Sequence, residues 1–209
     1  MMKYLTEPEQ RELLKAARSR LDPLAQRDYH WMAALILTGM RINEWSRLTV
    51  QQVRLALATG WLISDKQACK GKRRANEYCV TAQLRVHLNA LVAMSEVQGR
   101  DMAAPQAQWP LVWGVDEGLL SVRSYEVRLK GWARAAGLDA RISPHWLRHT
   151  RGMNVLAHCR GNNALVVAQR ALNHASLSST GVYLHMSREA LERELQVVDG
   201  AGRMRKADA

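Results

Sequence analysis

A mainly helical fold with one small antiparallel β-sheet, an α+β arrangement, is what this 209-residue chain predicts. Three observations lead there. Helix-start signals recur along the chain, at Thr6 with Pro8 and Glu9, at Ser121, and at Ser143-Pro144. Apolar helical stretches follow each of them. One convincing hairpin pattern interrupts the helices: Trp61-Leu62-Ile63-Ser64 and Glu77-Tyr78-Cys79-Val80, joined by a basic connection containing Gly71.

Taken in order, the first helix starts at Thr6 and runs through Leu13, Leu14 and Ala17. A second, more apolar helix spans about 24–37, with Gly39 as its stop. Arg41 then opens a short helix through Trp45, and Glu44, three residues on, shares its face. After the hairpin, helix returns over about 82–97. Residues 99–119 read as loop with a short extended piece at Leu111-Val112-Trp113. The Ser121 helix runs to about Ala136. The last third is helical, with breaks near Arg160-Gly161-Asn162, Asn173-His174 and Met186-Ser187. One catalytic-sized unit is expected over 1–199, followed by a small, charged, frayed tail over 200–209.

Charge narrows the function classes. Thirty Lys+Arg against nineteen Asp+Glu give a net charge of +11. A fold does not require that excess, whereas a polyanionic partner rewards it. A basic protein kept soluble by charge is the plainer alternative, but the cations gather beside the candidate site. Cys69, Cys79 and Cys159 are odd in number and lack CxxC spacing, which argues against a disulfide framework or zinc site and for a reducing compartment. The longest apolar run, Trp31 to Leu37, is far short of a membrane span, and the first residues lack a signal peptide's apolar core. A cytoplasmic protein with no membrane partner is the expectation.

Six residues form an inventory for phosphodiester chemistry: Arg41, Lys70, His145, Arg148, His174 and Tyr183. Together they can surround a phosphate with positive charge, attack it with a phenolic oxygen and protonate what leaves. None needs a metal or other cofactor. His145 and Arg148 fall on the first turn of the helix that Ser143-Pro144 opens, three apart and on one face, with His149 beside them. The positive end of the helix dipole disfavours protonation of His145, which suits a neutral base or relay. Arg148 offers a planar fork of donors. A free phenol has a pKa of about 10, so Tyr183 needs a nest of cations and a base to become a nucleophile. Its spacing from His174, across a serine-rich turn with Gly181, would let it move. Glu44 supports Arg41. Lys70 lies in the basic turn with Lys66, Lys72, Arg73 and Arg74, and Lys72 could take its part as proton donor. Each residue also has an ordinary reading taken singly: a surface HxxRH, a buried tyrosine, a helix ion pair, a solvated hairpin tip.

In combination these residues resemble the catalytic domain of the tyrosine recombinases, or phage integrases, over nearly the whole chain. Thr38-Gly39-Met40-Arg41-Ile42-Asn43-Glu44 through Leu48 resembles the family's first-arginine motif. Lys70-Gly71-Lys72 sits where the family carries its hairpin lysine. His145-Trp146-Leu147-Arg148-His149-Thr150 is similar to its HxLRHT box, and Ala171-Leu172-Asn173-His174 through Tyr183 to its LGH...Y box. Asn173 stands in place of the usual glycine, and asparagine tolerates the same left-handed backbone. The stretch 157–163 looks a few residues longer than usual. Tyr4-Leu5-Thr6-Glu7 already resembles the start of the catalytic domain, so no N-terminal core-binding domain is expected. In layout the chain resembles the small fimbrial phase-variation recombinases.

The resemblance implies a mechanism. Tyr183 attacks the scissile phosphate and forms a 3′-phosphotyrosine; Arg41, Arg148 and His174 stabilise the transition state. Lys70 protonates the leaving 5′ oxygen, and His145 assists proton movement. Neither metal nor nucleotide cofactor is implied. Double-stranded DNA is the expected partner, with assembly as a dimer or tetramer on it and, for specificity, an accessory DNA-binding protein. Lys66, Lys72, Arg73, Arg74, Arg123, Arg128 and Arg151 are candidate DNA contacts, and the helix over about 187–197 could link subunits. The rival readings are nicking and closing of DNA without recombination, a DNA-binding accessory or architectural protein, and a metal-dependent nuclease using the histidines.

Overall fold

Trp31, Met32, Ala34 and Leu35 are almost wholly buried on one helix, and the rest of the fold is arranged around it. The computed structural model describes residues 3–69, 75–99, 105, 108–114, 118–160 and 163–173. Helix α1 (Glu7–Arg18) starts at Thr6, whose N–H and hydroxyl both donate to Glu9 Oε2, at 2.7 and 2.8 Å. It turns Leu13 and Ala17 inward. Helix α2 (Pro23–Thr38) is capped by Asp22, which accepts from the Ala25 N–H at 2.8 Å. Because α2 is apolar nearly all round, it is the central helix. It packs against α1, α5 (Ala82–Gly99) and α7 (Pro144–His158).

Gly39 ends α2 at φ 64°, as its position before Arg41 predicts. The one-turn helix α3 (Ile42–Trp45) follows. Helix α4 (Val50–Thr59) was not foreseen. Its signals are nonetheless local. Thr49 and Gln52 form a reciprocal capping box, Val50, Val53 and Ala56 supply the buried face, and Gly60 stops it at φ 82°.

Strands β1 (Trp61–Ile63) and β2 (Glu77–Cys79) form the expected antiparallel pair, with Leu62 opposite Tyr78. Leu62 and Tyr78 point into the core, while Trp61 and Ile63 are exposed. A single 3-10 turn, Lys66–Ala68, occupies the start of the basic connection. The expected extended piece at 111–113 is flanked by two isolated bridges, Thr49 with Pro110 and Trp113 with Leu119.

Helix α6 (Val122–Ala135) is capped by the Ser121 hydroxyl, which accepts from the Ser124 N–H at 3.1 Å. Helix α7 begins at Pro144 as predicted, but the Ser143 side chain makes no capping bond. The proline's fixed φ sets the start on its own. Helix α8 (Ala164–Ala171) closes the described region. The predicted break at 186–187, the helix over 187–197 and the tail over 200–209 lie outside the described residues.

One charged node sits inside the core. Asp28 is 0% exposed and accepts from Trp31 Nε1 at 2.9 Å, Trp132 Nε1 at 2.8 Å, Arg27 Nη2 at 2.9 Å and Arg128 Nε at 2.5 Å. A buried carboxylate is tolerated only when its lone pairs are met in this way. It fastens α6 to α2. Among the described residues no helix is long and apolar enough to cross a membrane.

Candidate active site

The left-handed turn at Gly39 brings the chain out of α2 so that Arg41 stands at the N-cap of α3. From there the Arg41 Nη1 donates to Glu44 Oε1 at 3.1 Å, the pairing the spacing predicts. Glu44 is 0% exposed, so it must be satisfied from all sides. Asn76 Nδ2 donates to both its oxygens at 3.1 Å, and the Tyr78 hydroxyl donates to Oε2 at 2.6 Å. Asn76 and Tyr78 were not recognised as site residues. Their signal is the strand period, since positions two apart on a strand share a face.

Burial, reinforced by Glu44, pushes the Tyr78 phenol well above its ordinary pKa. That hydroxyl is a neutral donor fixed on a carboxylate. It cannot serve as a nucleophile near neutral pH.

Arg148 lies on the first turns of α7 and is 2% exposed. Its Nη1 donates to the Gly39 carbonyl at 2.6 Å and its Nη2 to the Leu172 carbonyl at 2.5 Å. Both acceptors are neutral main-chain oxygens. These bonds fix the plane of the guanidinium.

His145, one turn earlier, is exposed at the surface of α7. Partial desolvation, then Arg148, then Arg41 hold it below the ordinary imidazole value, so it is neutral at pH 7. The positive end of the α7 dipole acts in the same direction. The His149 ring meets it edge-on, 4.3 Å between centroids at 82°. His149 is lowered to about 4 by burial first, then His145 and Arg148.

Arg41, His145 and Arg148 therefore converge. Leu172 and Asn173 are drawn to the same place, and Asn173 takes the left-handed backbone expected of it, at φ 49°. Lys70, Lys72, Arg73, Arg74, His174 and Tyr183 lie outside the described residues.

The expected DNA contacts fall into different environments. Lys66 is exposed on the 3-10 turn and Arg123 is exposed on α6. Arg128 is tied to Asp28 through its Nε. Arg151 is partly buried, its Nε has no hydrogen-bond partner among the described residues, and it lines a cavity of about 350 Å³ with Cys79 and Arg170. Burial lowers its pKa.

A family model described as the phage integrase family matches residues 3–190. The tyrosine recombinase XerC of Alcanivorax borkumensis is 33% identical over 195 residues, covering 90% of this chain. The chain spans 56% of that relative's own length. Among solved structures, a XerA recombinase superposes with a TM-score of 0.70 at 24% identity, covering 95% of this chain and 64% of that one. The Tn1549 transposon integrase in complex with circular intermediate DNA superposes with a TM-score of 0.72 at 17% identity, covering 95% of this chain and 67% of that one. These superpositions establish the fold.

Proposed function

The chain belongs to the phage integrase family, and on that premise we propose that it is a site-specific DNA recombinase acting through a 3′-phosphotyrosine. The observation that carries the reading is the convergence of Arg41 and Arg148, each held in place by other groups, around a neutral His145.

In this reading the Tyr183 hydroxyl oxygen attacks the scissile phosphorus in line. A bond from that oxygen to phosphorus forms, and the bond from phosphorus to the 5′ oxygen breaks. Arg41, Arg148 and His174 hold the added negative charge of the five-coordinate transition state. Preorganisation is what makes such donors effective, and the two carbonyl bonds of Arg148 supply it. Lys70 gives the departing 5′ oxygen its proton, a part Lys72 could also play. His145, neutral at pH 7, accepts and relays the phenol's proton. A second 5′-hydroxyl then attacks the phosphotyrosine, which restores Tyr183 and exchanges the strand. The energy of the broken bond is kept in the ester, so no cofactor is needed.

Double-stranded DNA is the substrate, and the charge of +11 favours it. Residues 1–199 act as the catalytic unit, and assembly on DNA is as a dimer or tetramer. An accessory DNA-binding protein contributes specificity, and the work is done in the cytoplasm at the nucleoid.

The test is recombination of a supercoiled plasmid carrying the chain's own genomic flanks, in EDTA. Recombinant circles that vanish in Tyr183→Phe support the reading, whereas relaxed circles alone favour nicking and closing without recombination. Activity that EDTA abolishes, or that survives Tyr183→Phe, overturns it.

A further inference from the structure

Among the described residues, strand β2 pairs with β1 along one edge only. Leu62 pairs with Tyr78, so the main-chain groups of Glu77 face away from β1. Another side chain meets them. Asn173 Nδ2 donates to the Glu77 carbonyl at 2.8 Å, and the Glu77 N–H reaches Asn173 Oδ1 at 3.4 Å. The asparagine amide thus occupies the place a third strand's peptide would take.

Two further groups of contacts make this more than an edge cap. Residues 76 and 78, flanking Glu77, are those that donate to Glu44, the partner of Arg41. Leu172, preceding Asn173, accepts from Arg148, which also donates to Gly39, two residues before Arg41. The contacts close into a ring: Arg41, Glu44, the β2 strand, Asn173, Leu172, Arg148, Gly39 and back to Arg41. Asn173, the residue that follows Leu172, joins β2 to the end of α8.

We propose that Asn173 is a positioning residue whose side-chain amide holds β2 in register with the end of α8, the two segments that in sequence lead from the basic hairpin and into His174. This rests on the functional reading above. A glycine at this position would supply the left-handed backbone but not the link. The bonds are near the surface, so their loss costs little global stability. What it loosens is the alignment of the proton donor on the hairpin with the leaving oxygen.

Two variants separate the link from the backbone conformation. Asn173→Gly keeps the left-handed turn and removes the amide. Asn173→Asp tolerates the turn but sets a carboxylate against the Glu77 carbonyl. The substrate is a duplex spanning the cleavage site mapped from the wild-type adduct, made with either a bridging 5′ oxygen or a bridging 5′ sulfur. A thiolate leaves without a proton; an alkoxide needs one. At saturating DNA, Asn173→Gly is expected to form adduct on the order of 10-fold more slowly on the oxygen substrate, as small misplacements do. Asn173→Asp should be slower still. The deficit should disappear with sulfur, with DNA affinity and melting temperature unchanged. Wild-type rates for Asn173→Gly on oxygen, or equal deficits on both substrates, overturn the proposal. Amide exchange at Glu77 judges the link without catalysis: it should be faster in Asn173→Gly, and equal exchange overturns the proposal. A wild-type protein that forms no adduct overturns the functional reading, while the exchange result still decides the link.

Discussion

Arg148 donates to the Gly39 carbonyl at 2.6 Å, so the first turns of α7 are fastened to the turn that presents Arg41. The two candidate phosphate-binding arginines are more than a hundred residues apart in sequence, yet this bond ties one of them to the main chain two residues before the other. Gly39 is suited to that place for two reasons. Its φ is +64°, and a Cβ there would sit 2.6 Å from Leu172 Cδ2 and 3.0 Å from Arg151 Cβ.

Gly39→Ala should therefore act on both arginines at once. Left-handed backbone strain and overpacking together are expected to cost about 2–4 kcal/mol. Urea denaturation measures that. Adduct formation should fall further than Arg41→Ala alone, because displacing Leu172 also moves an acceptor of Arg148.

Glu44→Ala removes the acceptor shared by Arg41, Asn76 and Tyr78. Arg41 is 30% exposed and can rehydrate, but Asn76 and Tyr78 are buried and cannot. The expected loss is about 3 kcal/mol, mostly from orphaned donors. Tyr78→Phe should cost less, about 1 kcal/mol, since the carboxylate keeps two partners.

Acid should destabilise the protein through its histidines. His149 and His30 are both lowered to about 4, and His145 and His87 are lowered too, with burial the first cause in all four. In the unfolded chain these groups take up protons near pH 6.5, while the native groups resist until lower pH. The unfolded state thus binds more protons in that window, and stability falls as pH drops from about 6.5 toward 4. Melting temperatures across that range should show the decline, and His149→Asn should flatten it.

Arg123 and Arg128 lie on the same helix, α6, and should behave differently. Arg123 is exposed, so Arg123→Ala should weaken DNA binding, reduce the salt slope by about 1 and leave melting unchanged. Arg128→Ala breaks an ion pair with the buried Asp28 and should lower the melting temperature. Binding isotherms at several salt concentrations, alongside thermal scans, separate the two.

The parts legible in the sequence were those written in local chemistry. Thr6 and Ser121 start helices by capping, Gly39 stops one, and Arg41 with Glu44 follows from helical spacing. Helix α4 was not expected although its Thr49 and Gln52 capping box and its Gly60 stop are both local signals. The Asp28 node was not legible, since it joins residues 100 or more positions apart. Nor were the carbonyls that hold Arg148, because main-chain acceptors leave no mark on residue type. Arg128 looked like a free surface cation for the same reason: its partner is remote in sequence.

The central claim is that Tyr183 becomes covalently joined to DNA without a metal. The direct measurement is to incubate the protein with DNA carrying its genomic flanks in EDTA, denature, digest, and identify by mass spectrometry the peptide bearing the nucleotide. The account predicts a nucleotide on the peptide containing Tyr183, lost in Tyr183→Phe and reduced on the order of 10²–10³ in rate in Arg148→Ala. A nucleotide on another residue, or no adduct while DNA is cut, would contradict it.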